Sequence, residues 1–478
     1  MIFLHLCELE SKTGHMALIK SISGIRGTIG GKTGEGLTPL DIVKFSAAFG
    51  TWIKSRNPNN TSIIVGRDAR RSGPSVNSLV VLTLQSLGIN VKDLGMATTP
   101  TVEMAVTGEG ASGGVIITAS HNPAEWNALK LLNEKGEFLS GSDGTEVLEL
   151  ASSEKFSFSP LEGEGSYCTD ESWGQKHIDR ILDLDLVDVQ AIKKAGFSIA
   201  VDCVNSVGGL IIPQLLKQLG VKRVIELNTK PDGKFAHNPE PLPENLGEIS
   251  RLVVSEKADL GFVVDPDVDR LAIICEDGSM FGEEYTLVAV ADYVLGHTPG
   301  STVSNLSSTR ALKDVAGRYG CLYFASPVGE VNVVEEMKRR GAVIGGEGNG
   351  GIIYPPLHYG RDALAGIALF LSHLAGRGEK CSSLRRTYPD YVISKKKMTI
   401  EADTDFTEIT DLIRKEFLDH EIDERDGMRI ECPGGWIQIR KSNTEPIMRI
   451  YAEGITQQDA EKMADRVIAI VKKTYFFR

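Results

Sequence analysis

The sequence lacks the features that mark membrane, secreted and nucleic-acid-binding proteins. Its 478 residues contain no apolar run near the ~18 residues that a membrane-spanning helix needs. Its seven cysteines stand singly, without the paired spacing of a zinc site, so a reducing cytoplasm is the expected location. A formal net charge of -12 argues against a nucleic-acid partner. We therefore expect small-molecule partners, with no membrane and no nucleic acid, while the sequence leaves the oligomeric state open.

The first residues also lack the pattern of a secretion signal. Residues 1–7 are briefly apolar, but no basic segment precedes them and acidic residues follow. Residues 16–20 are a better beginning for folded structure. We therefore expect residues 1–15 to be a disordered extension of the folded chain.

The chain is rich in alternating strand and helix patterns. A β-rich run, a polar loop, a helix and a glycine follow one another three times, with strands beginning near residues 61, 197 and 301. Strands that alternate with helices are typical of α/β layers. The repetition predicts three related α/β domains.

The C-terminal part breaks this alternation. Strand-like runs at 391–393 and 397–400 precede a helix at 406–418, two strands flank a polar loop beginning at Arg440, and an amphipathic helix covers 460–471. This pattern predicts a smaller α+β domain. The predicted domains are 16–165, 166–278, 279–389 and 390–478.

A serine loop follows the apolar run at residues 114–117. The loop reads Thr-Ala-Ser-His-Asn-Pro and places Ser120 just beyond the end of a predicted buried strand. A serine held there can carry a transferable phosphoryl group. The alternative is an ordinary turn, since Ser, Asn and Pro are common turn residues.

Three carboxylates stand at alternate positions between two apolar runs. Asp265, Asp267 and Asp269 would repel one another in a structural strand, and burying any of them unpaired is costly. A hard divalent cation resolves the conflict, and Mg²⁺ is held by a few carboxylates together with phosphate oxygens. The alternatives are an acidic surface turn and an EF-hand, which fits worse because the sixth position lacks glycine.

A glycine-rich loop occupies residues 345–351. Its glycines allow close approach of the backbone, while Glu347 and Asn349 offer hydrogen-bonding groups suited to sugar hydroxyls. The alternative is a flexible loop tip.

A polar loop at residues 440–446 combines cations with hydroxyl groups. Arginine binds phosphate bidentately, and hydroxyl and backbone N–H groups supply further hydrogen bonds. The segment is therefore a candidate phosphate site, the alternative being a solvated hairpin turn.

These four segments, in this order, resemble those of the α-D-phosphohexomutase family, which interconverts hexose 6-phosphates and hexose 1-phosphates. Its members include phosphoglucomutase, phosphomannomutase and phosphoglucosamine mutase. The resemblance runs from about Ala17 to the C-terminus. It implies an α/β fold in which three related α/β domains and a smaller C-terminal α+β domain surround a central cleft, each contributing one loop. It also implies one Mg²⁺ per chain and a hexose 1,6-bisphosphate that serves as intermediate and activator.

The resemblance also assigns roles to individual residues. Ser120 is the phosphoryl carrier and joins Asp265, Asp267 and Asp269 as a metal ligand. Arg26 and Lys130 are candidates for the proton transfers, although the guanidinium pKa favours an electrostatic role for Arg26, and Lys130 read alone is an ordinary surface lysine. His121 either contacts the phosphate or orients the loop. The implied substrate-binding residues are Arg270, Glu347, Asn349, Arg440, Ser442, Asn443, Thr444 and Arg449.

The chain departs from the family pattern at two positions. Many relatives have histidine where this chain has Gly351 and Glu330, so contacts made by those histidines are absent or supplied elsewhere. The glycine-rich version resembles archaeal-type phosphoglucosamine mutases, which makes glucosamine phosphate the expected substrate. The alternatives are a phosphomannomutase or phosphoglucomutase and, from other classes, an aspartyl-phosphate phosphatase or a non-catalytic phosphosugar-binding protein. The last two leave Ser120 without a role.

Overall fold

The computed structural model describes residues 17–21, 24–58, 61–400, 406–441 and 447–475. The strands in these segments form four sheets in chain order, each with its own helices. The prediction of three α/β domains and a smaller α+β domain is confirmed. The domain boundaries remain a prediction. The extension 1–15 and the phosphate-loop residues Ser442, Asn443 and Thr444 lie outside the described residues.

The first domain is a mixed sheet with helices packed against it. Its strands are β1 (Leu18–Ser21), β2 (Gly24–Thr28), β3 (Ser62–Arg67), β4 (Asn90–Met96), β5 (Gly113–Ile117), β6 (Trp126–Leu132) and β7 (Tyr167–Thr169), in the order β1-β2-β6-β5-β3-β4-β7. Its helices are α1 (Pro39–Arg56), α2 (Gly73–Ser86), α3 (Thr99–Gly108) and α4 (Gly141–Ser153). The central strand β5 is buried along its whole length and runs parallel to β3. The loops after both strands therefore emerge at the same sheet edge.

The second domain is smaller. Its strands are β8 (Ser198–Asp202), β9 (Arg223–Leu227), β10 (Leu260–Val264) and β11 (Leu271–Cys275), in the order β11-β10-β8-β9. Its helices are α5 (Trp173–Leu182), α6 (Val189–Ala195), α7 (Gly208–Gln218) and α8 (Gly247–Ser255). Strands β10 and β11 are antiparallel and fully buried. The three aspartates lie in the loop that joins them.

The third domain repeats this plan. Its strands are β12 (Thr302–Asn305), β13 (Tyr323–Ser326), β14 (Ile344–Glu347) and β15 (Gly351–Ile353), in the order β13-β12-β14-β15. Its helices are α9 (Glu283–His297), α10 (Ala311–Arg318), α11 (Glu330–Arg340), α12 (Ala363–Arg377) and α13 (Cys381–Arg385). Asp362 caps α12 by accepting hydrogen bonds from the backbone N–H groups of Leu364 and Ala365.

One hydrophobic core runs through the second and third domains. The ring of Phe370 on α12 lies 6.2 Å from that of Phe262 and 5.3 Å from that of Phe281. Because interiors of this kind are close-packed, the two domains are held as one body. The aspartate loop and the glycine-rich loop therefore have a fixed relation to each other.

The fourth domain has a hydrophobic core of its own. Its strands are β16 (Val392–Thr399), β17 (Ile422–Asp423), β18 (Met428–Cys432), β19 (Gly435–Lys441) and β20 (Ile447–Gly454), in the order β16-β20-β19-β18-β17, and its helices are α14 (Phe406–Glu416) and α15 (Gln457–Tyr475). Polar bonds join it to the third domain, since Ser307 bonds Gln438 and Arg429 bonds the carbonyl of Leu306. Among the described helices, none is long and apolar enough to cross a membrane.

Candidate active site

Ser120 lies at the junction of the first and second domains. The backbone at Ser120 is left-handed (φ 47°), which turns the chain sharply three residues after β5 ends. Its hydroxyl donates a 2.7 Å hydrogen bond to Asp265 Oδ2 and lies 3.4 Å from His121 Nδ1. The serine is 7% exposed. The structure therefore places the serine loop directly against the aspartate loop.

Arg70 holds the serine loop in this shape, and the sequence did not reveal it. Its guanidinium is fully buried, pairs with Asp68 at 3.0 Å and lies 5.0 Å from the ring of Phe235. It donates hydrogen bonds to four backbone carbonyls, those of Ser120, Asn122, Pro123 and Trp126. Such bonds to a charged donor are stronger than neutral ones. The one available signal was that Arg70 follows β3, whose end meets the serine loop at the same sheet edge.

Asp265, Asp267 and Asp269 form a buried carboxylate cluster. All three are 0% exposed, and one oxygen from each lies within 4.8 Å of the others. Among the described residues, Asp267 Oδ1 and Asp269 Oδ1 have no hydrogen-bond partner. Burial, together with the charges of Asp269 and Asp267, raises the pKa of Asp265 well above its usual value. Hard carboxylate oxygens left without donors fit a Mg²⁺ ion, which would take the place of the missing hydrogen-bond donors.

Lys130 on β6 lies beside this cluster and is not a surface lysine. Its Nζ is 2.7 Å from Asp267 Oδ2 and 3.4 Å from Asp269 Oδ2. Burial alone would lower the pKa of Lys130, but the charges of Asp267 and Asp269 outweigh it and raise that pKa above its ordinary value. In this arrangement Lys130 is held in its protonated, positively charged form beside the two carboxylates.

Three arginines from three domains, Arg26, Arg270 and Arg449, lie close enough for their charges to interact. Burial, followed by the charges of Arg449 and Arg270, lowers the pKa of Arg26. In the part of the chain that the structure describes, Nε of Arg26 and Nε of Arg270 have no hydrogen-bond partner. Burial and the charge of Arg270 also lower the pKa of His121 to about 2, so its ring is neutral. Cations with unused donors are suited to binding an anion such as phosphate.

Glu347 is the last residue of β14 and is nearly buried. Its Oε1 accepts hydrogen bonds from Asn305 Nδ2 at 2.8 Å and from the Gly329 backbone N–H at 3.2 Å. Its Oε2 accepts one from Arg361 Nη1 at 2.8 Å. Asn349 Oδ1 accepts a 3.2 Å bond from the Gly351 N–H. Both predicted sugar-binding residues therefore belong to an ordered network rather than to a flexible loop tip.

The two residues that depart from the family pattern, Glu330 and Gly351, both lie against the side chain of Arg361, which the sequence analysis did not identify. Glu330 accepts hydrogen bonds from Arg361 Nε at 2.9 Å and from its backbone N–H at 3.0 Å. A Cβ added at Gly351 would lie 2.3 Å from Arg361 Cδ. The aliphatic part of the Arg361 side chain thus fills the space that a side chain at position 351 would need.

Arg440 lies in a strand rather than in the loop that the sequence indicated. It is the sixth residue of β19 and stands opposite Arg449 on β20. Its Nε donates a 2.9 Å bond to Asp426, whose other oxygen accepts a 2.8 Å bond from the Val328 backbone N–H. Arg440 is thereby held at the junction of the third and fourth domains, paired across the sheet with Arg449.

Comparison with known proteins identifies this combination of four domains. Models of phosphoglucomutase/phosphomannomutase α/β/α domains I, II and III match residues 18–158, 175–278 and 282–391, and the model of the C-terminal domain matches residues 397–470. The chain belongs to the phosphoglucomutase/phosphomannomutase family. As a member of this family of phosphohexomutases it is an enzyme, an isomerase that works by intramolecular phosphoryl transfer.

Similar proteins cover nearly the whole length of this phosphohexomutase. It is 35% identical to a "Phosphoglucomutase/phosphomannomutase" of Thermococcus kodakarensis, over 94% of this chain and 98% of the relative. It is 32% identical to a "Probable phosphoglucosamine mutase" of Methanopyrus kandleri, over 94% and 97%. A crystal structure of a phosphoglucomutase/phosphomannomutase family protein from Burkholderia thailandensis superposes with a TM-score of 0.82 at 26% identity, covering 95% of this chain and 97% of that one.

Proposed function

We propose that this phosphohexomutase interconverts glucosamine 6-phosphate and glucosamine 1-phosphate through a phosphoserine at Ser120. The observation that carries the proposal is the 2.7 Å contact between Ser120 Oγ and the buried aspartate cluster. A phosphosugar-binding protein without activity would need neither the serine nor the buried carboxylates. The assignment of these site residues is part of the proposal.

The reaction moves two phosphoryl groups in succession. Phosphorylated Ser120 passes its phosphoryl group to the free hydroxyl of the sugar phosphate, whose proton goes to a base, and the product is a hexose 1,6-bisphosphate. The bisphosphate turns around in the cleft, and its other phosphoryl group returns to Ser120 Oγ. Lys130, which carries a proton beside Asp267, is the candidate proton donor. His121, neutral and 3.4 Å from Ser120 Oγ, orients the serine side chain.

The carboxylate cluster and the arginines interact with different parts of the negative charge of the substrate. One Mg²⁺ held by Asp265, Asp267 and Asp269, together with an oxygen on Ser120, would neutralise charge that develops on the transferring group. Arg26 and Arg270 then bind phosphate beside the serine.

The phosphate that is not being transferred needs a remote site. We assign that site to the fourth domain, through Arg440, Arg449, Ser442, Asn443 and Thr444. Because the substrate binds in two opposite orientations, the same remote site serves both half-reactions. The fourth domain has its own core and joins the third through polar bonds, so it can close over the sugar and exclude water from the phosphoserine.

The preference for an amino sugar rests on charge and on relatives. Glu330 and Glu347 pair with the same guanidinium, that of Arg361, and the two carboxylates outnumber this one cation, which favours an ammonium group on the substrate. The relative from Methanopyrus kandleri carries the name probable phosphoglucosamine mutase. The name of the Thermococcus kodakarensis relative favours a second candidate, a phosphoglucomutase/phosphomannomutase.

A coupled assay decides between these two candidates. Initial rates are measured with the 1-phosphates of glucosamine, glucose and mannose under the same Mg²⁺ concentration. We expect kcat/KM for glucosamine 1-phosphate to exceed the others by roughly tenfold or more, the effect of one favourable charge contact. A higher kcat/KM for glucose or mannose 1-phosphate would reject the amino-sugar assignment and leave the mutase reaction standing.

Arg440→Ala tests the remote phosphate site. Loss of one arginine–phosphate contact should cost about 2–3 kcal/mol, which raises KM for every hexose phosphate alike by roughly 30- to 150-fold. Phosphorylation of Ser120 should stay normal, because Arg440 lies in another domain. The matched control is Arg414→Ala in the same domain, whose exposed side chain pairs with Asp411 and Glu424. An unchanged KM combined with poor serine phosphorylation would place Arg440 at the metal end instead.

A further inference from the structure

Arg361 lies between the aspartate loop and the glycine-rich loop and contacts both. Its side chain is 8% exposed and forms three ion pairs, with Asp269 at 2.6 Å, Glu330 at 2.9 Å and Glu347 at 2.8 Å. A different nitrogen of the guanidinium serves each carboxylate: Nη2 bonds Asp269, Nε bonds Glu330 and Nη1 bonds Glu347. A planar fork of this kind fixes the three carboxylates at set angles around one centre, which the single ammonium of a lysine cannot do.

The three partners belong to different functional parts of the cleft. Asp269 is one of the clustered aspartates of the second domain, and Glu347 ends the strand that leads into the glycine-rich loop of the third. Glu330 is the first residue of α11 and also accepts the backbone N–H of Arg361. A movement of the aspartate loop or of the glycine-rich loop therefore changes the contacts of the same guanidinium.

The backbone around Arg361 is shaped to admit it. A Cβ at Gly351 would lie 2.3 Å from Arg361 Cδ and 3.0 Å from its Cγ, closer than a carbon–carbon contact allows. Directly after Arg361, Asp362 caps α12, which packs in the core shared by the two domains. The helix cap therefore fixes the backbone position of Arg361, and the absence of a side chain at Gly351 leaves room for its Cγ and Cδ atoms.

We propose that Arg361 is a positioning residue that couples the metal loop to the sugar loop, so that the metal and the sugar phosphate each bind more tightly when the other is bound. This inference rests on the proposed function. Arg361 holds Asp269 through Oδ2, which leaves Asp269 Oδ1 without a hydrogen-bond partner among the described residues, and it holds Glu347 through Oε2. Such a coupling is reciprocal, because each ligand must change the affinity for the other by the same factor.

Binding measurements in a Ser120→Ala background test the coupling without turnover. Calorimetry gives the Kd of Mg²⁺ with and without glucosamine 1-phosphate, and the Kd of the sugar phosphate with and without Mg²⁺. A parallel series with glucose 1-phosphate makes the result independent of the sugar preference. We expect Arg361→Lys to raise the Kd of both Mg²⁺ and the sugar phosphate by roughly tenfold, because the lysine ammonium keeps the charge but loses the planar set of three donors. We also expect a smaller effect of each ligand on the Kd of the other.

The two matched control positions, Arg377 and Gly376, both lie on α12, the helix that follows Arg361. Arg377→Lys changes an exposed arginine of α12 that pairs with Glu379, and it should alter neither affinity. If Arg361→Lys does not fold, Gly351→Ala decides, because it keeps every charge and displaces Arg361 Cδ. Its control is Gly376→Ala on α12, where an added Cβ meets no atom within 4 Å.

The outcomes separate this inference from the proposed function. Joint weakening of Mg²⁺ and sugar phosphate, with a smaller coupling factor, supports the role of Arg361. A folded Arg361→Lys or Gly351→Ala protein that binds both ligands normally would overturn it, and so would weakening of one ligand alone. The proposed function fails on different evidence, namely absence of mutase activity or of phosphoserine in the protein with unchanged sequence.

Discussion

Replacing Ser120 with alanine should lower kcat by at least ~3 orders of magnitude and leave the fold intact, as nucleophile deletions do in other covalent catalysts. The hydroxyl that carries the phosphoryl group is lost, while the loop is still held by the four carbonyl bonds from Arg70. Steady-state kinetics and thermal unfolding of the purified variant measure the two effects separately. Intact-protein mass spectrometry should show no phosphoryl group on the variant.

Ser78→Ala is the matched control for this substitution. Ser78 lies exposed on α2 of the same domain, and its hydroxyl donates a hydrogen bond to the carbonyl of Pro74. It should keep full activity and full phosphorylation. Substantial mutase activity in the Ser120→Ala protein would show that another residue carries the phosphoryl group.

Replacing Asp267 with asparagine should lower activity by at least about 100-fold, beyond the loss seen when groups that support metal ligands are removed. The substitution removes a negative charge from the cluster, and Oδ1 of Asp267 is one of the two carboxylate oxygens there without a hydrogen-bond partner among the described residues. Calorimetry should show weakened Mg²⁺ binding, and the Mg²⁺ concentration for half-maximal rate should rise. EDTA should abolish turnover of the unchanged protein, with recovery on adding Mg²⁺.

Asp419→Asn makes the same chemical change at an exposed turn and should have no effect on either measurement. Turnover that persists unchanged in EDTA would rule out a metal at the aspartate cluster. Normal Mg²⁺ binding by Asp267→Asn would place the ion elsewhere.

The four segments predicted from sequence were visible because each holds its chemistry within a few consecutive residues. Ser120 and the three aspartates stand at strand ends, where apolar runs give way to polar loops. Arg70 and Arg361 gave no such signal. Arg70 is 50 positions from the Ser120 carbonyl that it bonds, and Arg361 is 92 positions from Asp269. Contacts at that distance are set by tertiary packing, which a local pattern does not record.

In the fourth domain, two predictions of secondary structure from the local sequence pattern were wrong. Two strands were predicted at 391–393 and 397–400, but β16 (Val392–Thr399) is continuous. The lysines between the two runs broke the apolar pattern. They are tolerated because β16 is an edge strand, where charged side chains reach solvent. Arg440 was likewise assigned to a loop, although it is paired with Arg449 inside the sheet.

The fate of the phosphoryl group on Ser120 in a single turnover tests the central claim most directly. Purified phosphorylated protein is mixed with an equal amount of glucosamine 1-phosphate and Mg²⁺, and samples are quenched over time. Peptide mass spectrometry follows Ser120, and phosphorus NMR follows the sugar. We predict that phosphoryl leaves Ser120 as glucosamine 1,6-bisphosphate appears, and returns to Ser120 as glucosamine 6-phosphate forms. Conversion of the sugar phosphate while Ser120 stays phosphorylated throughout, with no bisphosphate formed, would contradict the phosphoserine mechanism.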